Sequence, residues 1–442
     1  MAFDLIIRNA LLTTSKESVA GDLAVKDGKI AALGQVDDDA ETVIDAKGLT
    51  LIPGLIDTQV HFREPGMEHK EDLESGTRAA ILGGVTSIFE MPNTNPNTTT
   101  LATLQDKLQR ASEKAWCDYS FFVGASTDNI EQLSELENQP GTPGIKIFMG
   151  SSTGTLLVSD DEHLRNVLRS GKRRSPIHAE DEPRNRERKA LISDNPHPRE
   201  HPFLRDAESA RLATQRILAL SEETGRPIHV LHVSTADELP LLEDAKRRGL
   251  GTTCEVTPQH LWFHAPDCYD RLGTFAQMNP PIRSSEHQMG LRKAVHEGLF
   301  DVFGSDHAPH TLQEKEQPYP QSPSGMPGVQ TMLSALLTLS HHGLMDIQTL
   351  VRMACENPAL IYGIANKGFL QVGYDADLVL VDPKRKDVFT REMVASKCGW
   401  SPYEGETFHG WPIHVFLGGR QVVTDQTLTG TQQGKAVEFT WK

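Results

Sequence analysis

The residues best suited to chemistry stand at the ends of short apolar runs. Gln59-Val60-His61 closes one run and leads at once into Phe62-Arg63-Glu64-Pro65-Gly66. His178 closes a second run in PIHAEDE, His232 a third in HVLHVSTA and Asp306 a fourth in FGSDHAPH, while Lys146 lies within GIKIFMGSS. A single strand histidine is more often a hydrogen-bonded core residue than a ligand. Five apt residues on five strand ends are hard to explain as packing, so the set predicts a metal centre. Neutral imidazole is a good ligand for zinc and related divalent ions. A lysine in this company is odd, because an ammonium repels a metal. Carboxylated by carbon dioxide it becomes an anionic carbamate able to bridge two ions; otherwise it is an ordinary lysine paired with Asp306. Two bridged ions would acidify a shared water and polarise a carbonyl. Asp306 could then bind one ion, take the proton of the attacking water and return it to a leaving nitrogen.

Such residues need a scaffold that brings strand ends together. Strand character recurs at 55–60, 86–91, 119–123, 145–149, 176–178, 227–233, 252–256 and 302–305. Helical stretches fall between several of these, at 71–82, 207–223 and 238–248. Strands alternating with helices over roughly 300 residues predict a (β/α)8 TIM-like barrel with insertions, whose active site lies at the C-terminal strand ends. The first fifty residues and the last seventy read instead as short strands joined by turns. We expect residues 1–52 and 368–442 to form one small β-sandwich domain and 53–367 to form the barrel. The segment His310–Gln330 is long, polar and rich in proline and glycine. It reads equally as a surface loop or as a lid over the last strand.

The 442 residues carry a net charge of −16, with 44 lysines and arginines against 60 aspartates and glutamates. Such a surface repels nucleic acids and anionic membranes and leaves a small-molecule substrate as the expected partner. The five cysteines, Cys117, Cys254, Cys268, Cys355 and Cys398, form no CxxC pair. That argues against both a disulfide framework and a thiolate zinc site. The first residues carry Asp4 and Arg8 within their apolar stretch and lack a signal-peptide pattern. No run reaches the roughly 20 apolar residues of a membrane span. These features predict a reducing, cytoplasmic setting.

The motifs VHFREPG, EMPNTNP, IKIFMGSS, HAED, HVSTA, MNPPIR and SDHAPH, spread over essentially the whole chain, resemble those of the cyclic amidase branch of the amidohydrolase superfamily. Within it the likeness is strongest to the dihydroorotase family, which interconverts N-carbamoyl-L-aspartate and L-dihydroorotate in pyrimidine synthesis. The resemblance implies zinc, one or two ions per chain. His61 and Asp306 would hold one ion, His178 and His232 the other, with Lys146 bridging as an N6-carboxylated lysine. It further implies that Arg63 and Asn93 hold the substrate carboxylate, that Asn279 and His310 contact the ring and its carboxylate side, and that the chain is a homo-oligomer. Arg63 also makes sense alone: two residues past His61 on an extended chain it would share its side, and a guanidinium fork suits a carboxylate. The alternative is a pairing with Glu64 or Glu68. Similar hydantoinases and allantoinases do not typically carry an arginine there.

One position departs from the family, which normally has histidine where this chain has Gln59. Residues 59 and 61 share a strand face, so Gln59 should point at the metal as a weaker ligand. We therefore expect an assembled site whose ion near His61 is weak, exchangeable or absent. Two other readings compete: a cyclic amidase for hydantoin or allantoin, and a non-catalytic subunit that supports a partner such as aspartate transcarbamoylase. Gln59 is the only sequence support for the last.

Overall fold

The computed structural model describes residues 2–151 and 156–441; Ser152, the last residue of the IKIFMGSS motif, lies outside them. Nine short parallel strands make the barrel: β6 (Leu55–Val60), β7 (Val85–Glu90), β8 (Asp118–Phe121), β9 (Val123–Gly124), β10 (Ile145–Phe148), β11 (Ser175–His178), β12 (Ile228–Val230), β13 (Thr253–Val256) and β14 (Val302–Phe303). The earlier strands β1 to β5 are Phe3–Thr13, Ser18–Lys26, Lys29–Gly34, Ala40–Asp45 and Thr50–Pro53. β6 to β8 form one run and β9 to β14 another, each in chain order. β8 and β9 are successive pieces of one strand position, so the count agrees with eight staves. The ring closes where Val60 bridges His307 in parallel and the His61 N–H donates to the His307 carbonyl at 2.7 Å. Every residue of these strands is buried, as expected of a parallel sheet covered on one face by helices and filled on the other.

Helices pack outside the strands. The helix Leu73–Leu82 starts at Asp72, whose carboxylate accepts the Ser75 N–H while the Ser75 hydroxyl reaches back. The helix Ala207–Thr224 starts at Asp206 and stops at Gly225, which takes the left-handed conformation at φ 71°. Both positions match the helical stretches legible in the sequence.

Both chain ends build a second, nine-stranded sheet. Its C-terminal strands are β15 (Leu378–Val388), β16 (Thr407–Leu417), β17 (Arg420–Thr424) and β18 (Thr427–Leu428). The order is β18-β17-β16-β15-β5-β1-β2-β3, with β4 also on β1. The halves join at β5, which runs antiparallel to β15 and parallel to β1. The tail then leaves this sheet. Tyr119 donates to the Lys435 carbonyl and accepts from the Val437 N–H, placing 435–437 beside β8, and 438–440 continue along 363–365. Part of the 368–442 segment thus packs on the barrel.

The segment 310–330 is held down. It contains a short helix, Leu312–Lys315, whose buried Lys315 ammonium donates to the carbonyls of Gln277, Pro323 and Gly325 at 3.3, 2.8 and 3.1 Å. All five cysteines are free and buried. No helix among the described residues is long and apolar enough to cross a membrane.

A buried ion cluster ties the two regions together. The Lys367 ammonium lies 2.5 Å from Asp118 of β8, 3.0 Å from Asp375 and 2.6 Å from Asp377, with Lys29 also on Asp375. Burial opposes the charge of Lys367, yet the three carboxylates push its ionisation well above the usual lysine range. Lys367→Met would leave those carboxylates uncompensated. We expect a loss on the order of 3–5 kcal/mol, read as a lower urea midpoint and earlier deuterium exchange in residues 434–440.

Candidate functional site

The closure of the barrel sets the first half of the site. With His61 hydrogen-bonded to His307 through the backbone, its ring meets Asp306, and Nε2 lies 3.3 Å from Asp306 Oδ1. Asn93 Oδ1 sits 2.7 Å from His61 Nδ1. An amide oxygen can only accept, so Nδ1 carries the hydrogen and the neutral ring turns its Nε2 lone pair on Asp306. Burial pushes the His61 imidazolium down and keeps the ring neutral. A lone pair facing a carboxylate oxygen in a dry pocket calls for a cation between them. Gln59 also points here, as its strand position predicts. It does so through nitrogen: Nε2 donates to Asp306 Oδ1 at 3.0 Å. Its Oε1 is buried without a partner.

The second half repeats the logic. His178 Nδ1 lies 3.0 Å from His232 Nε2, and His178 Nε2 lies 2.9 Å from Glu180 Oε2. Burial alone would raise the Glu180 carboxyl, but Arg205 and His178 hold it well below the usual range. As a carboxylate Glu180 takes the Nε2 hydrogen, so Nδ1 offers its lone pair toward His232. Two nitrogens bound to one tetrahedral ion at 2.0–2.1 Å stand about 3.3 Å apart, close to this spacing. His232 Nδ1 is buried and unpartnered. His232 and Asp306 also hold positive φ, 35° and 43°, backbone strain of the kind that clusters at functional sites.

Lys146 acts on both halves. It is buried, its Nζ lies 4.5 Å over the Phe148 ring, and it forms no ion pair among the described residues. Burial pushes its amine down to about 7, against the pull of Asp306 and Glu255. Its charge in turn disfavours protonation of His61, His178 and His232. Two acids, Glu255 on β13 and Asp57 on β6, complete this dry layer. Burial and then the Asp306 charge raise Glu255 to about 8, and burial raises Asp57 to about 7. Thr58 donates to Glu255, and the Ser305 N–H donates to Asp57.

The facing lone pairs and the lysine without an ion pair among the described residues fit divalent ions in chemistry. Among the described residues, however, no three histidine, cysteine, aspartate or glutamate side chains are arranged to hold an ion by themselves. The donors come as two pairs with the lysine acting on both.

Arg63 forms a separate corner. β6 ends at Val60, and Arg63 lies in a turn with φ 66° rather than on an extended chain sharing a face with His61. It pairs with neither Glu64, which takes Lys114 and Arg110, nor Glu68, which takes the Gly66 N–H. Its Nε donates to the Pro309 carbonyl at 3.1 Å, Nη2 lies 3.3 Å from His310 Nε2, and Nη1 is buried without a partner. Asn93, expected beside Arg63, has its side-chain oxygen on His61. Asn279 accepts from His201 Nε2 at 3.0 Å; burial pushes His201 down to about 4, so that ring is neutral. Sequence reasoning did not single out Glu180, Arg205, His201 or Lys70. Only Glu180 carried a signal, two residues after His178 in HAED.

Comparison with known proteins identifies the family. The Amidohydrolase family matches residues 50–422. A dihydroorotase of Methanosarcina mazei is 35% identical over 91% of this chain and 90% of its own. An allantoinase of Escherichia coli O1:K1 / APEC is 32% identical over 92% of each. The L-hydantoinase (dihydropyrimidinase) of Arthrobacter aurescens superposes with a TM-score of 0.93 at 29% identity, covering 98% of this chain and 99% of that one. With this profile, the barrel and the two-ended β-domain, the chain belongs to the amidohydrolase family, in its cyclic amidase branch.

Proposed function

We propose that the chain is a dihydroorotase, closing N-carbamoyl-L-aspartate to L-dihydroorotate and opening it again. The observation that carries this reading is Arg63. A buried guanidinium at the barrel mouth, paired with no acid and holding an Nη1 without a partner among the described residues, is a ready site for a carboxylate. Dihydroorotate brings one on its ring, whereas the rings of hydantoin and allantoin do not.

In this reading His61 and Asp306 would hold one divalent ion and His178 and His232 another, with zinc as the expected metal, and Lys146 would serve both as a carbamate. An amine pushed to about 7 is free in roughly half the molecules at neutral pH, and the free amine is the form that adds carbon dioxide. Ions bound there would supply an acidified water and a polarised carbonyl. The chain does the rest. Arg63 and His310 fix the substrate carboxylate, and Asn279 meets the ring from the His201 side. Asp306 takes a proton from the attacking water as oxygen bonds to the ring carbonyl carbon. It delivers that proton to the nitrogen as the C–N bond breaks. The reverse sequence closes the ring.

Protein reconstituted with zinc and bicarbonate should hydrolyse L-dihydroorotate in preference to hydantoin and allantoin. Arg63→Met should lower kcat/KM for dihydroorotate by roughly 100-fold or more. A preference for hydantoin or allantoin would overturn the substrate. No turnover of any ring amide, with co-purification of a transferase, would favour a supporting subunit.

Gln59 gives a second test. Its nitrogen faces Asp306 and offers no lone pair, so the ion beside His61 should bind weakly. Counting metal after equilibrium dialysis should give about one tight ion per chain, rising toward two in Gln59→His. Two tight ions in the unaltered protein, unchanged in Gln59→Ala, would refute this. For Lys146, protein loaded in 13C-bicarbonate should show a carbamate carbon resonance that disappears in Lys146→Ala; its absence from metal-loaded protein would leave an ordinary lysine.

A further inference from the structure

His310 is enclosed by donors. Lys70 Nζ lies 3.1 Å from Nδ1, Arg63 Nη2 lies 3.3 Å from Nε2, and the Ser324 carbonyl lies 3.1 Å from Nε2. Trp400 fixes the backbone by donating to the His310 carbonyl at 2.8 Å. Gly325, at φ 148°, lies against the ring; a Cβ there would meet His310 Cδ2 at 3.0 Å and Nε2 at 3.1 Å. The ring therefore has little freedom to turn. Burial, then Arg63, Lys70 and Lys315, hold its imidazolium well below the usual range, against Glu314 3.9 Å from Nδ1. His310 is neutral, and only the choice of tautomer remains.

We propose that Lys70 is a positioning residue that fixes His310 as the Nε2–H tautomer, making it a second hydrogen-bond donor beside Arg63. An ammonium has hydrogens to give and no lone pair. The nitrogen it meets, Nδ1, must therefore accept, which leaves the ring hydrogen on Nε2. At Nε2 itself the neighbours disagree: the Ser324 carbonyl, which can only accept, favours the same assignment, whereas Arg63 Nη2, which can only donate, favours the opposite one, so Lys70 decides between them. Arg63 Nη2 then cannot hydrogen-bond to Nε2: two donors stand side by side, and Arg63 Nη1 lacks a partner as well. This corner is complete only with an anionic acceptor. Lys70 is itself anchored to Glu314 at 3.0 Å and its side chain is 12% exposed, so it borders the corner without filling it.

Without Lys70 only the Ser324 carbonyl would hold the hydrogen on Nε2, against the Arg63 donor, and the hydrogen could move to Nδ1. Nε2 would then accept from Arg63, and both donors would be lost to the incoming carboxylate. Substrate binding would suffer more than the chemical step. The link to turnover rests on the dihydroorotase reading, but the tautomer does not. The experiment is therefore 15N NMR of histidine-labelled protein without substrate, with His310→Asn used for assignment. The unaltered protein and Lys70→Arg should show His310 protonated on Nε2. Lys70→Met should move the hydrogen wholly or partly to Nδ1. With dihydroorotate, Lys70→Met should raise KM at least about tenfold, with kcat changed by less than about threefold and KM restored in Lys70→Arg. Protonation on Nδ1 in the unaltered protein, or an unchanged tautomer in Lys70→Met, overturns the proposal. A shifted tautomer without turnover of dihydroorotate sustains the role of Lys70 and counts against the assigned substrate. A shifted tautomer with normal turnover and an unchanged KM refutes the link to substrate binding.

Discussion

The site depends on one constraint: its ionisable groups are gathered where water is excluded. Lys146 sits in that layer without an ion pair among the described residues, and burial costs it much of its charge. The same desolvation keeps His61, His178 and His232 neutral and pushes Glu255 and Asp57 toward protonation. Glu180 is the exception, because Arg205 balances it. A dry layer with little charge of its own and lone pairs turned inward repels nothing and attracts cations. Hydration would weaken each of these effects at once, so the barrel wall is part of the chemistry.

That constraint explains what the sequence revealed. Barrel strands buried on both faces must be continuous apolar runs, so all eight stave positions were legible. A polar residue closing such a run is conspicuous, which is why His61, His178, His232 and Asp306 could be chosen without coordinates. Helices such as Ala207–Thr224 stood out as stretches between those runs, and the structure bounds this one with an acidic cap and a terminal glycine. The two-ended β-domain was readable because turn residues recur at both ends of the chain.

What remained hidden were partnerships across large sequence separations. Asn93 serves His61, Gln59 serves Asp306 and Lys70 meets His310 only because the barrel closes and the 310–330 segment folds back. No local pattern encodes the left-handed turn that takes Arg63 off the strand, and short-range periodicity does not say that residues 435–437 return to β8. These contacts are fixed by topology, and a single sequence reveals composition and period better than topology.

Gln59 shows how far the physics reaches. Its nitrogen is the atom turned to Asp306, because a carboxylate accepts and the amide oxygen would repel it. That orientation leaves Oε1 buried and unpaired, a desolvation cost of about 1–3 kcal/mol. A scaffold freed from chemistry has no reason to keep that cost, nor the strained backbone at His232 and Asp306, nor a guanidinium at Arg63 paired with no acid. A glutamine that tethers Asp306 gives a coherent alternative. The carboxylate proposed to carry the proton is held by a neutral hydrogen bond on Oδ1. A histidine at position 59 would spend its lone pair on an ion and leave Asp306 to that ion alone. Under the proposed function, Gln59 would shift the restraint of Asp306 from metal toward protein, a change in the detail of the mechanism.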